Sequence, residues 1–401
     1  MIRASRSRCV SSSATWLVTR HMAEIDRGRN HTHTPGLPIP HNTKVLMSYT
    51  ANPLVRFCAA FGVIASVSVS VGFAGSPVRA AYGVRVLSLD APFVTGFNDR
   101  QQVIGYGPQN LTTVGFVWDA KRGIQFIFPS GTDADNSAFS IALDINKHGE
   151  VAGLQRIRPG SANAFLRDRS GTVIDLGPFA ASGLNDRGQV AGAAVLPNFE
   201  SRAVIWTAGT GITDLGGPNS RAADINNRGV IAGEVQGQAA VWTDIGVWQE
   251  LGVLGDSPFG GPRLSIAQAI NDRGWVVGTS SAPVGGAFLW TPQTGMENLG
   301  HLHPGLDVSL SYGLDINQRG TVIGLSLGWI YFAGQYEQVV PRAFVWTRRT
   351  GMLALDDLVP AGWTISQVIA INDHDEILAT AARPTDGAHT VVLEPRNGQP
   401  K

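Results

Sequence analysis

The fold is decided by residues 269–278, AINDRGWVVG, an apolar segment that enters a polar turn and leaves it again. Near-copies begin at residue 143 (LDINKHGEVAG), residue 183 (GLNDRGQVAG), residue 223 (ADINNRGVIAG) and residue 314 (LDINQRGTVIG), and weaker copies at residues 96 (GFNDRQQVIG) and 370 (AINDHDEILA). Their shared asparagines are separated by 48, 39, 41, 45, 46 and 55 residues: Asn98, Asn146, Asn185, Asn226, Asn271, Asn317 and Asn372. A period of about 40–50 residues is typical of four-stranded propeller blades.

Each repeat divides into four short segments that are rich in β-branched and aromatic residues and are separated by glycine. The first ends in Asn-Asp-Arg-Gly or a variant, which predicts a type I turn with glycine in the left-handed position of a bulged hairpin. Gln101 and Asp375 replace that glycine in the two terminal repeats. The other segments resemble WVVG (residues 275–278), AFLW (287–290) and GMENLG (295–300). Because no segment has a useful helical period, the sequence predicts an all-β solenoid or propeller.

Side-chain size favours a propeller over an open stack of sheets. The residues four and two positions before each asparagine are nearly all small, and we expect both to lie on the strand face that converges on a central axis. Three aspartates occupy the second of these positions in alternate repeats: Asp144, Asp224 and Asp315. The apolar residue directly before each asparagine, such as Ile270, is expected to pack between blades.

The two ends of the repeat region predict a closed ring. The seventh repeat has its first three segments and lacks the fourth, while GVRVLSL (residues 83–89) matches that missing segment. Pairing residues 83–89 with residues 390–393 would complete a seventh blade and remove the exposed sheet edges. We therefore predict a monomeric, seven-bladed β-propeller over residues 81–396, followed by a tail at residues 397–401.

The repeat consensus, A-x-x-IND-x-G-x-VVG followed by AFLW and GMxxLG, resembles the HAF-repeat family of bacterial extracellular proteins over about residues 83–395. The histidine of the family's His-Ala-Phe motif is replaced here, as in GGAF, PRAF and ANAF. The resemblance implies a repeat architecture and export, and it supplies no catalytic residues.

The N-terminal eighty residues have the composition of targeting segments. We predict a cleaved signal peptide at residues 47–80, because Arg56 precedes an apolar run (residues 57–73) and small residues allow cleavage after Ala74 or Ala80. An uncleaved membrane anchor is the alternative, since the run is just long enough to span a bilayer. Residues 1–46 lack apolar periodicity, and we expect a disordered or untranslated leader. The protein would then be secreted or periplasmic in a bacterium.

Charge and cysteine content exclude several function classes. Residues 1–80 hold nine of the 31 basic and two of the 31 acidic residues, so residues 81–401 carry a formal charge of −7. Binding to nucleic acid needs basic patches, and because the sequence has no Lys/Arg cluster, nucleic acid is not an expected partner. Cys9 and Cys58 both lie in the N-terminal segment, which excludes disulfides, Cys-ligated zinc and thiol catalysis from the repeats.

Residues 327–342, LGWIYFAGQYEQVVPR, form the longest connection between the second and third segments of a repeat. We expect this connection on the face of the variable loops, where binding sites are common. Aromatic clusters act as platforms for sugars or anchors for proteins, and a local cap over the blade is the alternative. The candidate ligand-binding residues are Trp329, Tyr331, Phe332 and Tyr336.

Two further groups of side chains could hold a metal ion. HLHPGLD (residues 301–307) offers His301, His303 and Asp307 as a three-ligand site, although such a motif is common by chance. The three aspartates named above could hold a cation at the axis, and the alternative is that each caps local backbone amides. No cofactor is predicted, because the phosphate-loop and dinucleotide motifs are absent from the sequence.

We therefore expect an exported, non-enzymatic propeller that binds an extracellular glycan or protein through its variable-loop face. A polysaccharide hydrolase or lyase, with His301, His303 and Asp307 at its centre, is the alternative. No residue is assigned a catalytic role, since the sequence offers no His/Glu/Asp set that converges from several blades, and enzymatic activity is left open without being favoured.

Overall fold

The computed structural model describes residues 80–89, 93–109, 112–128, 139–156, 162–255, 263–281, 285–306, 308–332 and 335–396. Apart from Ala80, the predicted leader, signal peptide and tail lie outside these residues. The first strand is β1 (Tyr82–Val86), and a single 3-10 turn covers Leu355–Asp357 among the residues described.

The remaining strands follow in seven groups, which we number as blades 1 to 7. They are β2 (Phe93–Phe97), β3 (Val103–Gln109), β4 (Thr112–Asp119) and β5 (Gly123–Ile127); β6 (Phe139–Ile145), β7 (Val151–Arg156), β8 (Asn163–Arg167) and β9 (Val173–Gly177); β10 (Ala180–Leu184), β11 (Val190–Val195), β12 (Ser201–Thr207) and β13 (Gly211–Asp214); β14 (Ser220–Ile225), β15 (Ile231–Val235), β16 (Gln238–Asp244) and β17 (Val247–Glu250); β18 (Ser265–Ile270), β19 (Val276–Ser280), β20 (Gly286–Thr291) and β21 (Gly295–Asn298); β22 (Val308–Ile316), β23 (Val322–Phe332), β24 (Gln335–Thr347) and β25 (Gly351–Ala354); β26 (Thr364–Ile371), β27 (Ile377–Arg383) and β28 (Gly387–Pro395).

These strands form seven four-stranded antiparallel sheets that pack face to face around an axis. The hydrophobic core lies between the sheets, because alternate apolar side chains of each strand are buried against the neighbouring blade. Ile270, the residue before the asparagine of blade 5, is buried against Val241 of blade 4, as the sequence predicts. Phe97 of blade 1 and Leu378 of blade 7 share another cluster, which closes the ring. The protein is therefore a seven-bladed β-propeller.

The closing blade is assembled from both ends of the repeat region. β1 lies along β28, with Val84 opposite Leu393 and Arg85 opposite Val392, and it completes the sheet order β1-β28-β27-β26. Beyond β1, the Leu87 amide donates to the carbonyl oxygen of Thr390 at 3.0 Å. These contacts confirm the predicted pairing of residues 83–89 with residues 390–393.

The Asn-Asp-Arg-Gly turns have the predicted conformation. In blade 5 the Gly274 amide donates to the carbonyl oxygen of Asn271 at 2.9 Å, and Gly274 has a φ of 77°. Gln101 and Asp375, which replace this glycine at the two ends, have φ values of 57° and 60°. The turn geometry is therefore common to all seven blades, whatever residue occupies the left-handed position.

The prediction that the residues four and two positions before each asparagine share one strand face is wrong. Every innermost strand has a β-bulge between these positions. In blade 5, Ala267 is paired with Gly278 and Ala269 with Val277, and successive residues of a strand point to opposite faces. The second position of five blades lines the axis, at Gly96, Asp144, Asp224, Asp315 and Ala370. The first position instead packs between blades, as Ala267 does.

Candidate functional site

The blades present two faces that differ in how the chain crosses them. The turn face carries the tight turns between the first and second strands and between the third and fourth strands of each blade. The loop face carries the connections between the second and third strands and between successive blades, and these vary in length. Residues 327–342, the predicted aromatic segment, belong to the loop face.

The aromatic segment is a projecting β-hairpin. β23 and β24 pair as far as Phe332 and Gln335, and Tyr331 lies opposite Tyr336 in the register. The interpretation of residues 327–342 as a loop is therefore wrong for most of its length. Pro341, which lacks an amide hydrogen, lies at the one break in this pairing, and prolines inside sheets are found at such breaks.

The hairpin presents at least one of its four candidate aromatic side chains to solvent. Tyr331 is 57% exposed and Trp329 is half-buried. The side chains of Phe332 and Tyr336 lie outside the described residues. Because opposite residues of an antiparallel pair share a sheet face, the backbone brings positions 331 and 336 together, whereas position 329 is opposite Gln338.

His303 packs against the base of this hairpin. Its Nε2 atom lies 3.3 Å from the carbonyl oxygen of Ser326, and its ring occupies the space beside Gly328. Burial lowers the pKa of His303, so the neutral ring is favoured. His301 is exposed, and Asp307 lies outside the described residues. Within the described residues, no three His, Cys, Asp or Glu side chains are grouped so that they could hold a metal.

The axial aspartates connect neighbouring blades. Asp224 accepts the amide of Ile225 in its own blade at 2.8 Å and the amide of Ile270 in the next blade at 2.9 Å. Asp144 and Asp315 each make the same two contacts, one within the blade and one with the next blade, at distances of 2.7–2.9 Å. Each aspartate therefore caps backbone amides, as the alternative interpretation expected. One of the two amides belongs to the following blade. Cation binding by the three aspartates stays a prediction.

An axial cavity of about 180 Å³ lies at the turn-face ends of the innermost strands; the sequence analysis placed three aspartates at this axis and missed the rest of the lining. Its lining includes Asp144, Asp224 and Asp315 together with residues that follow the repeat asparagines, such as Asp186 and Asp272. The signal in the sequence was the polar residue directly after each asparagine. Its carboxylates and amides make the lining polar and acidic, which disfavours an anion.

The residues after the asparagines form a second ring of contacts. The Asp272 amide donates to the Gln318 side chain, the Gln318 amide to Asp373 and the Asp373 amide to Asp99, each at 2.9 Å. Burial and the nearby carboxylates of Asp99 and Asp272 raise the pKa of Asp373. In the same ring Lys147 Nζ lies 2.7 Å from Asp186, and this hydrogen bond raises the pKa of Lys147. This ring of contacts is acidic, and Lys147 pairs with one of its carboxylates.

The loop face carries further aromatic side chains that the sequence analysis did not select. Phe93 stacks on Tyr106 with the ring centroids 5.1 Å apart in blade 1. The Arg383 guanidinium of blade 7 lies 4.6 Å from the ring centroid of Trp363. Phe199, at the tip of the β11–β12 hairpin in blade 3, is 86% exposed. Each lies outside the repeat consensus, and departure from the consensus was the signal that could have found them.

Comparisons with known proteins leave the role of this propeller open. No family model and no curated protein sequence matches the chain. Similar solved structures include an oligogalacturonate lyase from Vibrio parahaemolyticus (10% identity, TM-score 0.48, covering 80% of this chain and 99% of that one) and the BP39L lectin from Burkholderia pseudomallei (10% identity, TM-score 0.38, 80% and 97%). TolB from Acinetobacter baumannii also matches (12% identity, TM-score 0.37, 63% and 63%), so this chain spans less than two thirds of its length. These similarities carry no argument about function.

Within the described part of the chain, no helix has the length and apolar character needed to cross a bilayer.

Proposed function

We propose that this protein is an exported, non-enzymatic member of the HAF-repeat type that binds an extracellular glycan through the β23–β24 hairpin on its loop face. The observation that carries the proposal is the projection of this hairpin beyond its blade, with an exposed Tyr331 ring at its outer end. Tyrosine and tryptophan combine a flat apolar ring with a polar group, and this combination suits stacking on a pyranose ring.

The rest of the molecule supports a binding role. The loop face carries aromatic rings on several blades, including the stacked pair Phe93 and Tyr106 and the Trp363 ring beneath Arg383. A rigid scaffold that positions variable loops is the usual arrangement for recognition. His303 braces the hairpin by packing beside Gly328, so it supports the platform in this proposal and does not bind a metal.

Binding of defined polysaccharides tests the proposal. The chain is run in affinity electrophoresis through gels containing xylan, pectin, laminarin or dextran, and we expect retardation by at least one of them. Tyr331→Ala and Trp329→Ala are expected to weaken that retardation about tenfold or more, because each removes a stacking ring.

The matched control is Val247→Ala, which truncates an exposed side chain on the outer strand of blade 4. It should leave retardation unchanged, and both it and Tyr331→Ala should melt within about 2 °C of the wild type, since exposed substitutions rarely alter stability. Trp329 is half-buried, so Trp329→Ala is expected to melt lower, and its retardation is compared with the others well below its Tm. The proposal is wrong if no polysaccharide retards the protein, or if retardation survives both ring deletions.

A further inference from the structure

The backbone of this protein keeps glycine at nearly all of its left-handed positions. Among the described residues, 23 glycines have a positive φ, compared with five residues of other types. The five are Gln101, Phe199, Asn219, Gln236 and Asp375. A side chain in this region clashes with its own backbone, so each exception needs a compensating reason.

Four of the exceptions are explained inside the molecule. The side chains of Gln101 and Asp375 both hydrogen-bond a neighbouring blade. Asn219 is an asparagine, a residue type that adopts this conformation more often than most because its short polar side chain can hydrogen-bond locally. Gln236 forms, with Gly237, a two-residue hairpin turn that requires positive φ at both positions.

Phe199 has no such reason inside the chain. It occupies the third position of the three-residue loop 197–199, where a bulged hairpin normally has glycine, and its φ is 66°. Backbone hydrogen bonds of 2.9 Å from Leu196 to Glu200 and from Phe199 to Leu196 hold this geometry. The ring nevertheless lies 86% exposed, and Val195 of the same hairpin is 69% exposed. The strained backbone therefore aims an aromatic ring outward instead of burying it.

The polar groups around the ring are engaged within the chain. Asn198 Oδ1 accepts the Glu200 amide at 3.1 Å, and its Nδ2 lies 3.3 Å from the Glu200 carboxylate. The same carboxylate is 3.0 Å from Arg202 and accepts the Asn219 amide at 3.3 Å. The tip consequently offers apolar surface, whereas sugar recognition also needs polar groups placed around the stacked ring.

We propose that the hairpin tip of residues 195–200, which we call the blade-3 knob, docks on another protein by inserting the Phe199 ring into an apolar pocket. The left-handed backbone fixes the direction in which the Cα–Cβ bond of Phe199 leaves the turn. A fixed direction of approach suits one pocket on a folded protein, whereas a fluid lipid surface accepts a ring from any direction. The flanking Glu200 and its paired Arg202 add no net positive charge that would attract an anionic membrane. The proposal does not depend on glycan binding at the β23–β24 hairpin.

Photo-crosslinking in the cells that produce the protein, followed by affinity measurement, tests the knob. Phe199→p-benzoylphenylalanine in the full chain is expected to give one adduct of defined mass on irradiation. The same substitution at Ile245, which is also exposed but lies on the turn face, should not give that adduct. The protein in the adduct is then purified, and Phe199→Gly should weaken its binding about 30-fold or more, the loss expected for a buried phenyl ring.

Stability separates docking from a structural role of the ring. Phe199→Gly removes the left-handed strain, so we expect its Tm to rise by about 1–3 °C while binding to the partner falls. The absence of an adduct, an equal adduct at position 245, unchanged affinity or a lower Tm would each overturn the proposal. Sedimentation of the wild type with phosphatidylcholine vesicles, lost in Phe199→Gly, would overturn it in favour of a lipid surface. Retardation by polysaccharides should be unaffected by Phe199→Gly, so the two proposals fail independently.

Discussion

A single asparagine side chain closes a turn in each blade, and in six of the seven blades it also joins the next blade. Asn271 Oδ1 accepts the amides of Arg273 and Trp275 at 3.0 and 3.1 Å, while its Nδ2 donates to the carbonyl oxygen of Asn317 in the next blade at 3.0 Å. Five other repeat asparagines donate to the following asparagine in the same way. Aspartate lacks the donor and serine is too short, so the amide alone satisfies both requirements.

The residue after this asparagine gives a prediction about pH. Asp373 has a raised pKa, so ionisation of its carboxylate is less favourable in the folded chain than in the unfolded chain. The protonated carboxyl group therefore stabilises the fold fully below the ordinary carboxyl pKa, and this stabilisation is lost as the pH rises through the raised pKa of the folded chain. Asp373→Asn keeps an acceptor for the Gln318 amide and removes the charge. We expect this variant to be more stable than the wild type at pH 7, by less than about 1 kcal/mol.

Thermal unfolding at a series of pH values checks this expectation. The difference in Tm between Asp373→Asn and the wild type should shrink towards zero as pH falls to about 4. Asn227 already occupies the equivalent position in blade 4, which shows that the turn accepts an amide there. A variant less stable than the wild type at pH 7 would show that the carboxylate is favoured at this position.

At the scale of elements, the bulge in the innermost strand explains the glycine of the second strand in six blades, while blade 7 has Ala379 at the equivalent position. In blade 5 a Cβ atom at Gly278 would fall far inside the van der Waals radius of the Ile266 carbonyl oxygen and 2.9 Å from the Phe288 ring. Five other blades repeat this arrangement, at Gly105, Gly153, Gly192, Gly233 and Gly324. The glycine of VVG therefore makes room for the bulge, and in four blades, including blade 5, a phenylalanine from the AFLW-type segment covers it.

Gly278→Ala is expected to destabilise the protein by about 3 kcal/mol or more, because the clash is with main-chain atoms that cannot rotate away. Gly83→Ala in β1 is the matched control, since the added Cβ would lie 3.7 Å from its nearest neighbour, Arg396. Urea denaturation of the two variants should give a large fall in the free energy of unfolding for the first and almost none for the second. Equal effects would mean that the bulge can relax.

The number of blades and the closing strand could be predicted from the sequence, because the asparagine spacing and the missing fourth segment are patterns within one chain. The hydrogen bonds that join asparagines of adjacent blades could not, since they depend on how the blades are placed, and the bulge could not, since it depends on the pairing of two strands. The projecting hairpin was missed for a local reason: Gly334 and Pro341 make residues 327–342 resemble a loop. Phe199 was missed because sequence does not reveal the sign of φ for a phenylalanine.

At the scale of the whole molecule, β1 should control whether the ring closes. A chain that begins at residue 90 leaves β28 with an unpaired edge in place of its pairing with Val84 and Arg85. We expect this truncated chain to melt at least about 10 °C lower, or to self-associate through the free edge. Light scattering and calorimetry measure the two effects, and a synthetic peptide of residues 81–89 should reverse them. A monomeric truncated chain with the wild-type Tm would show that β1 is dispensable.

The hydrogen bonds from asparagine to asparagine all lie at one rim of the propeller, at the turn face. Near the opposite rim, serines such as Ser140 and Ser265 also join neighbouring blades. The connections at that rim lie beyond these contacts, and they range from the two-residue turn at Gln236 and Gly237 to the long hairpin ending at Phe332. The connections at the loop face can therefore be lengthened or replaced while the contacts between the blades stay the same. The scaffold is thus suited to acquiring new recognition surfaces, one connection at a time.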